Sequence, residues 1–195
     1  MVSSSPSPAV PVLNIANVLT VVRILMVPFF IWFLLLDDSR GGLFRWLAVL
    51  TFAVAIYTDK LDGDLARSRG LITDFGKIAD PIADKLLIGS ALVLLSVLGE
   101  LWWWVTIVIL VRELGITVLR FAVIRYGVMP ASRGGKLKTV VQTVAILLFL
   151  LPLQNLGDWA WWPAALVMAA AVVITVVTGV DYIVQAARLR AAARR

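Results

Sequence analysis

Long apolar stretches separated by short charged ones dominate the chain. Six are long enough to form membrane-spanning helices, which are expected because backbone polar groups must pair within a segment when lipid is the solvent. We place the six predicted helices near residues 17–36, 44–68, 78–98, 102–126, 138–155 and 159–184. The last two are the plainest, since residues 139–156 and 159–180 contain no charged side chain. This pattern predicts an all-α integral membrane protein.

The two ends of the chain differ from this membrane part. Residues 1–13 are rich in Ser and Pro, and we expect a flexible or interfacial segment in which a short interfacial helix begins at 11–15. This segment lacks the basic n-region of a cleaved signal peptide. Residues 14–185 are predicted to form a single membrane domain, and residues 186–195 a basic cytoplasmic tail.

The placement of charge predicts the topology. Basic residues gather in the connection between the second and third helices, in the connection between the fourth and fifth, and in the C-terminal tail. The positive-inside rule places these regions in the cytoplasm, so both termini are cytoplasmic and the number of spans is even. Tryptophans at 102–104 and 159–162 are expected to mark the opposite interface. We therefore expect a multi-pass protein of the cell membrane whose charged end faces the cytoplasm.

Composition limits the chemistry available to this chain. It has 195 residues, is 61% hydrophobic, has a net charge of +6, and contains no Cys and no His. Thiol nucleophiles, imidazole bases and the usual zinc sites are therefore excluded. Because the basic residues adjoin apolar segments, they favour an anionic membrane face or a phosphate substrate, and we expect no nucleic-acid partner.

One face of the second predicted helix carries both acidic residues and residues with small side chains. Asp59, Asp62, Gly63, Ala66 and Arg67 follow the spacing i, i+3, i+4, i+7 and i+8, so they share a helical face near its cytoplasmic end. The small residues leave that face bare, which allows a bulky ligand to approach the backbone.

A second acidic stripe opens the third helix, where Gly76, Asp80 and Asp84 share a face after a turn at 70–74. A helical hairpin would bring the four aspartates together, at a cost of roughly 2.5–3.5 kcal/mol for each one placed deep in the bilayer. Bound cations would compensate, and carboxylates favour Mg²⁺ or Mn²⁺. Two such ions can clamp the attacking and leaving oxygens of a phosphoryl displacement.

The alternative interpretation of the aspartates is that they are solvated surface charges. Their partners would then be nearby basic residues, Lys60, Arg67, Lys77 and Lys85. Four carboxylates on matched faces argue against this interpretation. Asp64 and Asp74 lie off both stripes, and for these two we expect solvated surface positions.

Two segments of the chain together resemble the signature of the CDP-alcohol phosphotransferase family. The first has the spacing D-x2-D-G-x2-A-R, and the second, about eight residues later, has the spacing G-x3-D-x3-D. Every signature position is filled, by Asp59, Asp62, Gly63, Ala66, Arg67, Gly76, Asp80 and Asp84. The resemblance extends from Asn14 to about Tyr182. Supporting segments, among them Asn17-x2-Thr20-x2-Arg23, are similar to those of the bacterial, actinobacterial-type branch that uses glycerol 3-phosphate.

The resemblance implies six transmembrane helices, a homodimer and an active site open to the cytoplasmic leaflet. It implies two divalent cations, Mg²⁺ or Mn²⁺, one held by Asp59, Asp62 and Asp80. The other would be held by Asp59, Asp80 and Asp84, with Asp84 as the general base. The substrates would be CDP-diacylglycerol and sn-glycerol 3-phosphate, and the products phosphatidylglycerophosphate and CMP. The CDP-lipid would lie on the signature face, on Asp62, Gly63, Ala66, Arg67 and Gly76.

An acceptor that carries its own phosphate needs a further cationic site. The predicted pocket comprises Arg112 and Arg120, two turns apart on the fourth helix, with Arg133, Lys136 and Lys138 before the fifth. Positive-inside topology is the alternative reason for these charges, and it is a poor one for Arg112, which lies within an apolar run. Glu113 is expected to neutralise a neighbouring cation.

Asn17, Thr20 and Arg23 share a face of the first helix. Two interpretations stay open at this stage. Asn17 caps the helix, or the three residues contact the cytidine or its phosphates.

Two other functions compete with this hypothesis. A synthase of the same family could use another acceptor, either phosphatidylglycerol, which gives cardiolipin, or inositol phosphate, because a few pocket residues set specificity. A divalent-cation transporter would instead line a permeation path with aspartates. Such a path favours acidic residues near mid-membrane and often a repeated half, and neither is visible in this sequence.

Overall fold

The computed structural model describes residue 11 and residues 14–71, 73–123 and 133–192, and every regular element in these parts is helical. The α-helices are α1 (Ile15–Asp37), α2 (Leu43–Arg69), α3 (Asp74–Val97), α4 (Trp103–Val123), α5 (Arg133–Leu150) and α6 (Trp161–Ala192). Two short 3-10 turns, Leu153–Leu156 and Asp158–Ala160, join α5 to α6. The all-α prediction and its six helices are confirmed for the described residues.

Helix ends differ from the predicted segments where the chain becomes polar. Helix α3 begins at Asp74 and α5 at Arg133, each several residues earlier than predicted, and α6 continues to Ala192 into the predicted tail. Hydrophobicity marks the part of a helix suited to lipid, whereas backbone hydrogen bonding continues through charged turns. Most of the predicted N-terminal segment, including residues 12 and 13 of the interfacial helix, lies outside the described residues.

The helices pack in two groups that share one core. Helix α1 packs against α2 and α3, while α4 and α5 pack against α6. Phe30, Leu34, Phe52, Leu87 and Ile146 are wholly buried between them. The outward faces are also apolar and carry many exposed large hydrophobic side chains, as expected for a surface in contact with lipid.

Two of the six helices, α1 and α6, carry an apolar stretch long enough to cross a membrane by length and composition. Only 28% and 39% of those stretches are buried inside the protein, so most of each is available to lipid. The other four helices carry more charged side chains, most of them near one end of the bundle, among them the aspartates and basic residues singled out above. The protein is thus an all-helical membrane protein in which most of these charged side chains lie near one end.

The other end is held together by a buried arginine. The guanidinium of Arg45 contacts both carboxylate oxygens of Glu100, and its Nη1 lies 2.8 Å from Oε1. It also donates to the carbonyl oxygens of Leu150 (2.6 Å) and Phe149 (2.8 Å). Carbonyls in the last turn of a helix lack intrahelical donors, so Arg45 satisfies the end of α5 while joining α2 to the α3–α4 connection.

We expect Glu100→Ala to destabilise the protein by about 3 kcal/mol, because it leaves the buried Arg45 without its counter-charge. A lower thermal unfolding midpoint of the purified protein in detergent would show this. Arg40→Ala, an exposed change at the same end, should leave the midpoint within a degree or two. Equal midpoints for the two variants would contradict a structural role for the Arg45–Glu100 pair.

Candidate active site

Helix α1 presents three polar side chains to the acidic stripes of α2 and α3. Arg23 is fully buried, and its guanidinium contacts Asp59 (Nη1 to Oδ1, 2.6 Å) and Asp62. One turn earlier, the hydroxyl of Thr20 donates to Asp80 Oδ1 at 2.6 Å. One face of α1 therefore holds carboxylates from both neighbouring helices.

Asn17 belongs to the same face, but it is not the helix cap. The cap of α1 is Asn14, whose side-chain oxygen accepts the backbone N–H of Asn17 at 3.0 Å. The capping interpretation of Asn17 was therefore wrong, because the helix begins at Ile15, before Asn17. The carboxamide of Asn17 instead donates to Thr73 Oγ1 at 2.8 Å, and the same oxygen caps α3 by accepting from Gly76 N. Asn17 thus joins the start of α1 to the start of α3.

A cavity of about 190 Å³, here called the α1–α3 cavity, opens between α1, α2 and the start of α3. Its lining includes Asn17, Thr20, Asp62, Gly63, Ala66, Arg67, Gly76 and Asp80. Seven of the eight residues predicted to bind the CDP-lipid therefore line one cavity. The eighth, Arg23, is buried against Asp62.

The two aspartates off the stripes behave as predicted. Asp64 is exposed and pairs with Arg67 at 2.9 Å, and Asp74 is exposed and pairs with Lys77 at 2.9 Å. Both are pairs within one helix on its solvated side, where such contacts add little stability. Their solvated placement is confirmed, and it separates them from the four signature aspartates.

The four signature aspartates supply hard oxygen donors near one another. In this structure they do not form a ready ligand cluster, because no group of three or more acidic side chains in the described residues is close enough to hold a metal. Asp59 and Asp62 instead share the guanidinium of Arg23. Carboxylate oxygens are hard donors, which divalent cations such as Mg²⁺ prefer over softer ligands. The donor chemistry therefore fits a divalent ion of the Mg²⁺ type.

A second cavity, of about 310 Å³ and here called the basic cavity, lies between α3, α4, α5 and α6. Its charged lining consists of Lys85, Arg112, Arg120, Lys136 and Lys138 with Asp84 and Glu113. Five cations against two carboxylates give it a net positive charge suited to a phosphate. Four of the five predicted acceptor-site residues are brought together here. The side chain of Arg133 lies outside the described part of the chain.

Glu113 connects the cations of this cavity. Its Oε1 accepts from Arg112 Nη1 at 3.1 Å and also from Lys138. The expectation that Glu113 neutralises a neighbouring cation is confirmed. The Lys138–Glu113 pair joins α5 to α4, and Arg112 and Lys138 both line the basic cavity.

Two residues of α6 that were not predicted as site residues contact these arginines. Arg112 Nη2 donates to Thr178 Oγ1 at 3.1 Å, and Arg120 Nη2 donates to the Tyr182 hydroxyl at 2.9 Å. A signal was present in the sequence, since the two α6 residues are four apart and so form a polar pair on one face of a largely apolar helix.

An apolar cavity of about 370 Å³ adjoins the basic cavity, and both are lined by Asp84 and Lys138. Ile82, Leu86 and Leu114 line it and are exposed at the protein surface. Asp84 therefore stands where a polar cavity meets one that opens towards the lipid-facing surface.

A larger cavity of about 560 Å³ lies at the opposite end of the bundle, near Ser39, Glu100 and Trp161. Its lining contains none of the predicted site residues. Cavity volume alone therefore does not locate the candidate active site. Charge and converging polar groups are better indicators, and they favour the end that holds the α1–α3 cavity and the basic cavity.

Both polar cavities of this helical membrane protein are lined by α3, which contributes Asp80 to the α1–α3 cavity and Asp84 to the basic cavity. The sequence model described as CDP-alcohol phosphatidyltransferase matches residues 13–181. The chain belongs to the CDP-alcohol phosphatidyltransferase family and is an enzyme of that type, a transferase of phospholipid biosynthesis.

Several known proteins are similar to the chain over most of its length. The chain is 57% identical over 175 residues to the probable phosphatidylglycerophosphate synthase of Mycobacterium tuberculosis H37Rv, covering 90% of this chain and 82% of the relative. It is 35% identical to the CDP-diacylglycerol–glycerol-3-phosphate 3-phosphatidyltransferase of Bacillus subtilis 168, covering 87% and 93%. It is also 36% identical to a CMP-forming cardiolipin synthase of Streptomyces coelicolor, covering 80% and 71%.

Proposed function

We propose that this enzyme transfers the phosphatidyl group of CDP-diacylglycerol to sn-glycerol 3-phosphate, giving phosphatidylglycerophosphate and CMP. The observation that carries the proposal is the net positive basic cavity with Asp84 in its wall. Asp80, one helical turn earlier on α3, lines the α1–α3 cavity. Two substrates held in these cavities would therefore meet along α3. The printed names of the mycobacterial and Bacillus relatives support the same acceptor.

The α1–α3 cavity suits the CDP headgroup. Gly63 and Ala66 keep its wall close to the backbone, and Asn17 and Thr20 supply polar groups to it. Arg23 holds the carboxylates of α2 in place from behind the cavity wall. We assign the cytidine and its diphosphate to this cavity and the phosphate of glycerol 3-phosphate to the basic cavity.

The proposal includes two divalent cations, Mg²⁺ or Mn²⁺, that Asp59, Asp62, Asp80 and Asp84 would hold. When bound, such ions polarise phosphoryl oxygens and stabilise the negative charge of the departing nucleotide. The protein contributes carboxylates that face one another from two helices. Their mutual repulsion makes a bound cation favourable.

The reaction requires removal of one proton at the acceptor. A hydroxyl oxygen of glycerol 3-phosphate forms a bond to the phosphorus that bears diacylglycerol, and the bond from that phosphorus to the CMP oxygen breaks. With no His in the chain, a carboxylate is the available base. Asp84 lies in the wall of the basic cavity, so we assign it the hydroxyl proton.

We further propose that the enzyme is a homodimer in the cell membrane with both cavities facing the cytoplasm. The basic side chains at this end support that orientation through the positive-inside rule. At the opposite end Trp102 and Trp161 make an edge-to-face contact with ring centroids 5.3 Å apart, as in an interfacial aromatic belt.

A cardiolipin synthase remains the second candidate because of the similar Streptomyces enzyme. Its acceptor, phosphatidylglycerol, presents a phosphodiester, whereas glycerol 3-phosphate presents a more highly charged monoester. Five basic side chains around one cavity match the monoester better. Inositol phosphate is also a monoester, so charge alone does not discriminate against it.

The deciding experiment measures CMP release and lipid products from purified protein given CDP-diacylglycerol and one acceptor at a time. The acceptors are glycerol 3-phosphate, phosphatidylglycerol and inositol phosphate. We expect turnover with the first alone, abolished by EDTA and restored by Mg²⁺ or Mn²⁺. Turnover with another acceptor would replace the proposed substrate. Metal flux into vesicles without any CMP release would instead indicate a transporter.

We expect Gly76→Ala to raise the KM for CDP-diacylglycerol about tenfold, the effect of losing one good polar contact. A Cβ at Gly76 would lie 3.0 Å from Asn17 Oδ1 and 3.4 Å from Thr73 Oγ1, so the α1–α3 contact must move. Gly115→Ala on α4 is the matched control, since a Cβ there has nothing within 4 Å. Identical kinetics of the two variants would contradict the role of this contact.

A further inference from the structure

Tyr182 on α6 contacts both arginines of the basic cavity. Its side chain is almost wholly buried and lines that cavity. Its hydroxyl accepts a hydrogen bond from Arg120 at 2.9 Å. The guanidinium carbons of Arg120 and Arg112 lie 5.0 Å and 5.7 Å from the centre of its ring. One aromatic side chain therefore contacts two cations that stand two turns apart on α4.

Neighbouring residues of α6 complete this surface. Thr178 Oγ1 accepts from Arg112 Nη2 at 3.1 Å. Gly179 leaves room for the same arginine, because a Cβ there would lie 3.3 Å from its Cγ. Thr178, Gly179 and Tyr182 follow the spacing i, i+1 and i+4, so they form one face of α6, which we call the arginine face.

The two guanidinium groups have physical reasons to separate. Like charges repel, and long basic side chains near a membrane surface extend towards headgroups and water. The electron-rich face of an aromatic ring attracts cations, most strongly where water is excluded. Tyr182 supplies such a face between α4 and α6, together with a hydrogen-bond acceptor. It thereby opposes the separation of Arg112 and Arg120.

We infer that Tyr182 is a positioning residue that holds Arg112 and Arg120 together as a binding site for the phosphate monoester of the acceptor. This inference rests on the proposed function. It assigns the preorganisation of the site to α6, a helix that contributes no basic side chain to the basic cavity. Preorganised cations bind an anion more tightly because ordering them no longer opposes binding.

The test compares Tyr182→Leu with Tyr182→Phe in steady-state kinetics. We expect Tyr182→Leu to raise the KM for glycerol 3-phosphate about tenfold or more, from loss of the ring and the hydrogen bond. Tyr182→Phe keeps the ring and should raise it only about threefold. In both variants kcat and the KM for CDP-diacylglycerol should stay within about twofold of wild type. Tyr57→Leu, an exposed change on α2, is the control.

Binding of inorganic phosphate, measured by calorimetry on the purified protein, gives a readout that does not need turnover. We expect wild type to bind phosphate most tightly, Tyr182→Phe less tightly and Tyr182→Leu least tightly. Equal increases in the KM values for both substrates, or unchanged phosphate binding in Tyr182→Leu, would overturn the inference. If Tyr182→Leu fails to fold, Tyr182→Phe still tests the inference, because it removes only one oxygen atom. A wild type that binds phosphate without using glycerol 3-phosphate would refute the proposed function alone.

Discussion

Replacing Asp84 by Asn is expected to lower kcat by about 10²–10⁴-fold, the usual contribution of a general base. The change keeps the shape of the side chain and removes its ability to take the acceptor proton. Asp84 lies in the wall of the basic cavity and beside the apolar cavity, where an acceptor hydroxyl and a lipid phosphate would meet. CDP-diacylglycerol affinity should change little, since Asp84 does not line the α1–α3 cavity.

The measurement pairs single-turnover kinetics with binding of CDP-diacylglycerol to the purified variant. Asp64→Asn is the matched control, because Asp64 is an exposed aspartate outside both stripes. It should retain wild-type kcat. Wild-type turnover in Asp84→Asn would rule out the base assignment. A parallel loss of CDP-diacylglycerol binding would point to a role in holding that substrate instead.

Replacing Arg112 by Ala is expected to raise the KM for glycerol 3-phosphate about 10- to 100-fold, because a charge-assisted hydrogen bond contributes about 1.5–3 kcal/mol. The KM for CDP-diacylglycerol should rise far less. The guanidinium of Arg112 contacts Glu113 on α4 and Thr178 on α6. Lysine has a single ammonium group, so Arg112→Lys should recover only part of the affinity.

Steady-state kinetics with each substrate varied in turn would check this result. Arg188→Ala removes an exposed basic residue from the last turns of α6. It should leave both KM values near wild type, which separates a local phosphate contact from a general effect of surface charge. Equal increases in both KM values for Arg112→Ala would indicate damage to the fold rather than loss of a phosphate ligand.

Helical periodicity explains why much of the site could be predicted. Residues three and four apart share a face in any helix, so Asp59 and Asp62, and likewise Asp80 and Asp84, had to lie in stripes once their helices were recognised. The same reasoning gathered Asn17, Thr20 and Arg23. It also separated Asp64 and Asp74 from the stripes, correctly.

Helical periodicity could not predict the contacts between helices. Spacing does not reveal that Arg23 is buried between Asp59 and Asp62, or that Arg45 reaches Glu100 and the end of α5. Capping of α1 by Asn17 was one of two open interpretations, and it was wrong because α1 begins before its apolar run, with Asn14 as the cap. Such details depend on how far each helix extends and on its rotation against its neighbours.

The sequence by itself determined the helical membrane class, the two acidic stripes and the family, because these follow from composition and from spacing within one helix. Only the tertiary structure decided which helices meet, and so separated the α1–α3 cavity from the basic cavity along α3. It also placed Tyr182 against two arginines of α4. Helix packing brings together residues as distant in sequence as Arg45 and Leu150, which are 105 positions apart. No short-range pattern encodes the distance between such residues.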